Sequence, residues 1–206
     1  MEKNYVGHLG SRDATFRNLQ DHFVSNPGGL AVVWAEENRR DAIFEAMRSR
    51  ETYATSGTRP IVRFFAGDYD ENLCEATDAL EQAYSAGVPM GGVLQRTDAD
   101  APPRFFISAQ RDQGTDMHPA NPLERIQIIK GWVDARGQSH EKIFNVAWSG
   151  DRRLDSAGEL PPVGTTVDAQ TASYRNSIGS DQLATLWADP EFDADIEAFY
   201  YARVIE

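Results

Sequence analysis

The chain has 206 residues, with 20 basic against 32 acidic side chains, a formal charge of −12, 41% hydrophobic residues and 10% aromatic ones. That charge repels phosphate backbones and anionic bilayers over most of the surface, which argues against nucleic acid or a charged membrane as partner. A chain of this length and composition folds without a disulfide or a metal, the lone Cys74 excludes an internal disulfide or thiolate cluster, and no apolar run reaches the ~20 residues that span a bilayer.

Residues 1–29 carry few periodic signals. A short helix is predicted over 15–23, with Phe16, Leu19 and Phe23 on one face and Asp13 as cap, before NPGG breaks the chain. Residues 30–34 form a short apolar run. A helix is then predicted over 38–48, capped by Asn38, with Asp41 at the positive end and Ile43, Phe44 and Met47 on the buried face. ETYATSG is β-prone and ends in a glycine turn. Residues 60–66 read as a strand, acidic GDYDEN as a loop, and 73–86 as a helix stopped by Gly87.

From there the pattern turns to strands, at 88–94, 104–109, 124–133, 142–148 and 197–204. RIQIIKGWVD alternates, with Ile126, Ile128 and Lys130 on one side and Gln127, Ile129 and Gly131 on the other. A short helix is predicted over 181–187. These elements predict an α+β fold, with a mostly antiparallel, β-sandwich-like body and a helix-bearing N-terminal arm. The boundary falls between residues 1–58, the arm, and 59–206, the strand-rich domain.

Chemistry is sparse. His8, His22, His118 and His140 show no metal-ligand spacing. Ser149 lies in AWSGD without a nucleophile elbow, and NPGG and PMGG suit turns better than a nucleotide loop. Asp151, Asp155 and Glu159 are weak calcium candidates, being oxygen ligands beside a turn without the spacing of a helix–loop–helix calcium loop. Asp68, Asp70 and Glu71 form a weaker acidic group, and Glu36 and Glu37 support a helix start or face a partner. Trp34, Trp132, Trp148 and Trp187 suit sugar stacking, but three of them lie in or beside apolar elements, so core packing is the plainer assignment. No residue of the chain is assigned as catalytic or cofactor-binding.

GLAVVWAEENRRDAIFEAMRSRETYATSG at 29–57, PLERIQIIKGWVDARG at 122–137, VAWSGDRR at 146–153, LPPVGTTVD at 160–168 and the closing DPEFDADIEAFYYARVIE together resemble a bacterial family known as domain of unknown function 3604. The resemblance implies a relation to the polymerase and histidinol phosphatase superfamily, whose barrel holds metals through His, Asp and Glu. It also implies that the chain is the C-terminal part of a longer protein, cut at both ends. Residues 48–57 then match the end of the barrel region, and the remainder is an accessory domain. The family's metal-binding motifs lie upstream, so the divalent metal belongs there and no cofactor to this chain. The implied partner is that catalytic region, with self-association through the arm as a further expectation. A carbohydrate- or small-ligand-binding module is the alternative, and a self-contained hydrolase comes last. MEKNYVGHLG has no signal-peptide core; in a fragment this leaves the compartment open, and the expectation is a soluble protein of either cytoplasm or periplasm.

Overall fold

The computed structural model describes residues 29–95, 101–115 and 119–206. The helix expected over 15–23 lies outside them, as do His8, His22 and His118. β1 (Gly29–Val33) and β2 (Thr52–Ser56) pair antiparallel as a two-stranded sheet, joined by α1 (Arg40–Ser49). A four-stranded antiparallel sheet follows, in the order β4 (Gly87–Pro89), β3 (Ile61–Gly67), β5 (Arg104–Gln110), β8 (Gln182–Ala188). The third sheet has the order β7 (Ser139–Trp148), β6 (Arg125–Val133), β9 (Ala198–Ile205). The fold is the expected α+β, sandwich-like arrangement of antiparallel sheets.

The core explains the sequence of β3 and β5. Successive side chains of a strand point to opposite faces. Phe64, Phe105, Ile107, Ala109 and Leu183 therefore face inward, where they meet Leu123, Ile126 and Ile128. Their neighbours Phe65 and Phe106 face outward and are covered by Tyr69, Leu73 and Ala83. Both faces of the sheet are buried, so adjacent apolar residues such as Phe64–Phe65 and Phe105–Phe106–Ile107 replace strict alternation.

The same double burial corrects the helix expected over 181–187. Those residues form β8, registered on β5 through Leu183↔Ala109, Leu186↔Phe106 and Trp187↔Phe105. Leu183 and Trp187 join the inner cluster while Leu186 joins the outer one. Apolar residues on both sides of a strand mimic a helical spacing, and pairing with β5 decides the outcome.

The helix expected over 73–86 is broken. A 3-10 turn (Leu73–Glu75) precedes α2 (Ala79–Ser85). In one continuous helix Leu73 and Ala83 would point about 80° apart; the break lets both pack on Phe65. The strand expected over 88–94 stops at Pro89, which lacks an N–H. Gly91 then turns at φ 84, where a Cβ would strike the backbone of Ser49 and Arg50.

α1 departs from expectation at its start and on its buried side. Arg39, not Asn38, precedes the first turn, and no side chain caps it. Ala46 is the buried residue, whereas Phe44 and Met47 are 57% and 58% exposed. The helix turns Ala46 and the half-buried Ala42 and Ile43 inward and leaves Phe44 and Met47 facing solvent. Its end follows the left-handed pattern, with Arg50 at φ 62 and its N–H on Ala46 O and Met47 O.

These burials set the expected costs of truncation. Ile128→Ala should lose about 2–5 kcal/mol, whereas Phe44→Ala should stay within about 0.5 kcal/mol. Urea denaturation of the two variants checks this contrast.

Candidate functional site

β6 carries one charged residue on its core side. Alternation from Ile126 and Ile128 places Lys130 there, and its side chain is 7% exposed. A buried ammonium requires a partner and further acceptors. Lys130 Nζ lies 2.6 Å from Asp189 Oδ2 and donates to Glu191 O at 2.7 Å. Tyr200 on β9 donates to the same Asp189 oxygen at 2.7 Å, and the Glu191 N–H binds Oδ1 at 2.8 Å. Asp189 is fully enclosed, and every partner is supplied by β6, β9 or its own turn. Burial and the adjacent Asp189 carboxylate push the Tyr200 phenol well above its ordinary pKa. Lys142 adds an exposed ion pair to Glu191. The cluster ties the 189–191 turn to the inner face of the β7-β6-β9 sheet.

A second polar cluster joins β1–α1–β2 to the β3 sheet. Trp34 Nε1 donates to Val62 O at 3.0 Å, and the Arg63 guanidinium sits 3.3 Å from the Trp34 ring centre. Arg63 also donates to Tyr84 Oη at 2.9 Å, while Tyr84 donates to Glu51. Arg50 Nη2 donates to Gly91 O at 2.7 Å. These contacts hold one side of the arm.

At the tip of the β6–β7 hairpin, Asp134 Oδ1 accepts the N–H groups of Arg136 and Gln138, both at 2.9 Å. His140 Nε2 lies 2.9 Å from Asp134 Oδ2, and its ring stacks on Trp132 with centroids 5.2 Å apart. The His140 hydrogen bond and the two N–H groups hold the Asp134 carboxyl below its usual range. An open groove of about 290 Å³ is lined by Glu71, Arg104, Leu186, Trp187 and Ala188.

The calcium candidates are not gathered. Asp155 Oδ1 accepts the N–H groups of Ala157 at 2.8 Å and Glu159 at 2.9 Å, so this carboxylate closes its own turn. Among the described residues no three His, Cys, Asp or Glu side chains converge to hold a metal ion. Ser149 is buried, and its hydroxyl has no hydrogen-bonded base among the described residues. In the same loop Arg152 binds Glu124, Ser149 O and Pro161 O, which fixes the turn after β7. None of the four tryptophans is an exposed platform; Trp187 packs between Phe105 and Phe144.

The family model for a protein of unknown function (DUF3604) matches residues 1–206. The chain belongs to this family. No curated protein and no solved structure matches it. The DUF3604 strings quoted above coincide with structural joints: AWSGDRR holds the Arg152 loop, RIQIIKGWV is β6, and DPEF supplies Asp189 and Glu191. The alternation of β6 groups Lys130 with Ile126 and Ile128 but gives no partner for it, because Asp189 lies 59 positions away. The Asp134–His140 pair had a nearer signal, since a tight DARGQ turn sets Trp132 opposite His140. Among the described residues no helix is long and apolar enough to cross a membrane.

Two consequences are measurable. Asp189→Ala should cost about 3–5 kcal/mol by leaving Lys130 buried and unpaired, and Lys130→Met with Asp189→Leu should recover most of it. The Tyr69 phenol, buried and beside Asp68, is pushed up to about 12. A raised folded pKa contributes stability that is complete below the ordinary phenol value near 10. That contribution is lost as pH rises from there through the folded value. Urea midpoints should therefore fall above about pH 10, and less steeply in Tyr69→Phe.

Proposed function

We propose that this chain is an accessory, structural domain that packs against the catalytic unit of a metal-dependent hydrolase. The observation that carries this reading is the apolar side of α1. Phe44 and Met47, three positions apart and therefore neighbours on the helix surface, are 57% and 58% exposed. Exposed bulky residues on a helix whose other side is anchored are the pattern of a surface awaiting a neighbour. A two-stranded sheet such as β1–β2 is marginal by itself and gains stability from an additional packing layer.

The rest of the reading comes from the resemblance to the polymerase and histidinol phosphatase superfamily. On it, residues 1–58 are an arm that resembles the end of the barrel region, and residues 59–206 are the strand-rich accessory domain. The divalent metal and its His and carboxylate ligands belong to the upstream barrel. The chain alone then has no metal-dependent phosphoesterase turnover, since such hydrolysis needs a positioned metal to activate water.

Phe44→Asp and Met47→Asp test the reading in two contexts. In this chain the unfolding free energy from urea denaturation should change by less than about 0.5 kcal/mol. In the protein extended by its upstream region, the same changes should lower both thermal stability and manganese-dependent phosphodiester hydrolysis. Equal effects in the two contexts, or none in the extended protein, would contradict docking through α1.

A further inference from the structure

We infer that the outer face of the β7-β6-β9 sheet is a binding surface for short neutral saccharides. Residues paired across an antiparallel sheet share a face. The registers thus stack three rows on this side: Phe199, Gly131 and Glu141; Tyr201, Ile129 and Ile143; Arg203, Gln127 and Asn145. Ile129 is buried beneath its row, whereas Phe199 is 64%, Tyr201 43% and Ile143 44% exposed. The rings of Phe199 and Tyr201 lie 6.4 Å apart between centroids and 12° from parallel.

The platform is built rather than incidental. Gly131 has no side chain where the Phe199 ring lies, and a Cβ there would collide with that ring. The glycine seats the aromatic in one position before any ligand arrives, which lowers the ordering cost of binding. The adjoining polar row is also fixed. Gln127 Oε1 accepts Arg203 Nε at 3.0 Å and Nη2 at 2.7 Å, and Gln127 Nε2 donates to Asn145 Oδ1 at 2.8 Å. Guanidinium has five N–H donors, so this arrangement leaves donors on Arg203 to spare. Exposed Glu141 supplies an acceptor in the row of Phe199, across Gly131 on β7.

The ligand follows from this pairing of surfaces. A pyranose presents an apolar C–H face, which stacks on aromatic rings, and a rim of hydroxyls that both donate and accept. Here the two rings run along β9 beside the Arg203 donors, with the Glu141 carboxylate across Gly131 from Phe199. The three rows extend about 14 Å along β9, which suits a short oligosaccharide. Anionic ligands are disfavoured by Glu141 and by the net charge of −12. A second copy is disfavoured by size: three half-exposed side chains offer on the order of 300 Å², against about 800 Å² per partner in a stable dimer. The inference uses no residue of the arm and is independent of the docking proposal.

The test is a titration of the whole chain with cellohexaose, xylohexaose and laminarihexaose, each followed through its backbone amide NMR shifts. The expected result is saturable shifts confined to β6, β7 and β9 with at least one of the three, at roughly millimolar affinity. Phe199→Leu keeps an apolar group on Gly131 and should leave the melting temperature unchanged while weakening binding at least about tenfold. Tyr201→Leu should do the same. Silence with all three oligosaccharides, shifts centred on other elements, or unchanged binding in both variants would overturn the inference. So would a dimer in sedimentation that Phe199→Leu dissolves.

Discussion

Two pairs of adjacent phenylalanines, Phe64–Phe65 and Phe105–Phe106, hold the molecule together by facing in opposite directions. β3 and β5 are registered so that Phe65 meets Phe106 on one face and Phe64 lies beside Phe105 on the other. Burying each ring contributes about 1.5–3 kcal/mol. The β4-β3-β5-β8 sheet therefore holds the β7-β6-β9 sheet on one side and α2 with Tyr69 and Leu73 on the other. A one-residue slip between β3 and β5 would exchange the two faces and expose both sets, so the register is strongly fixed.

The polar joints hang on that layer. Lys130 is drawn inside because Ile126 and Ile128 on the same face are packed against Phe105 and Ile107. Its charge then organises the 189–191 turn through Asp189 and Tyr200. Among the described residues, β1, α1 and β2 are attached differently, through a tryptophan–arginine stack and hydrogen bonds to β3, and none of their side chains joins the two buried apolar clusters. Fewer buried apolar contacts leave these elements more dependent on polar joints than the rest of the described fold.

What the sequence revealed depended on how many faces of an element are covered. β6 was legible because a run rich in β-branched residues alternates between Ile126, Ile128 and Lys130 on one side and Gln127, Ile129 and Gly131 on the other, and ends in the DARGQ turn. β8 was misread as a helix because Leu183, Leu186 and Trp187 are drawn to two different clusters. α1 was placed correctly but turned wrongly, since periodicity groups Phe44 with Met47 without saying which side of a helix has a neighbour. The polar clusters were largely hidden, being closed by long-range pairs such as Lys130–Asp189 and Arg63–Trp34. The aromatic face is hidden in the sequence because composition does not separate buried rings from exposed ones: the four tryptophans are partly buried, and the exposed rings belong to Phe199 and Tyr201.

The central claim is that the doubly covered β3–β5 layer is the stable nucleus and that the arm is a weaker attachment to it. Native-state amide hydrogen exchange measures this directly, because it reports the opening free energy of each element. The account predicts that amides of β3, β5 and β6 exchange only through global unfolding, while those of β1, α1 and β2 open together at a distinctly lower free energy. Arm amides as protected as those of β5, or β5 amides that exchange through local opening, would contradict it.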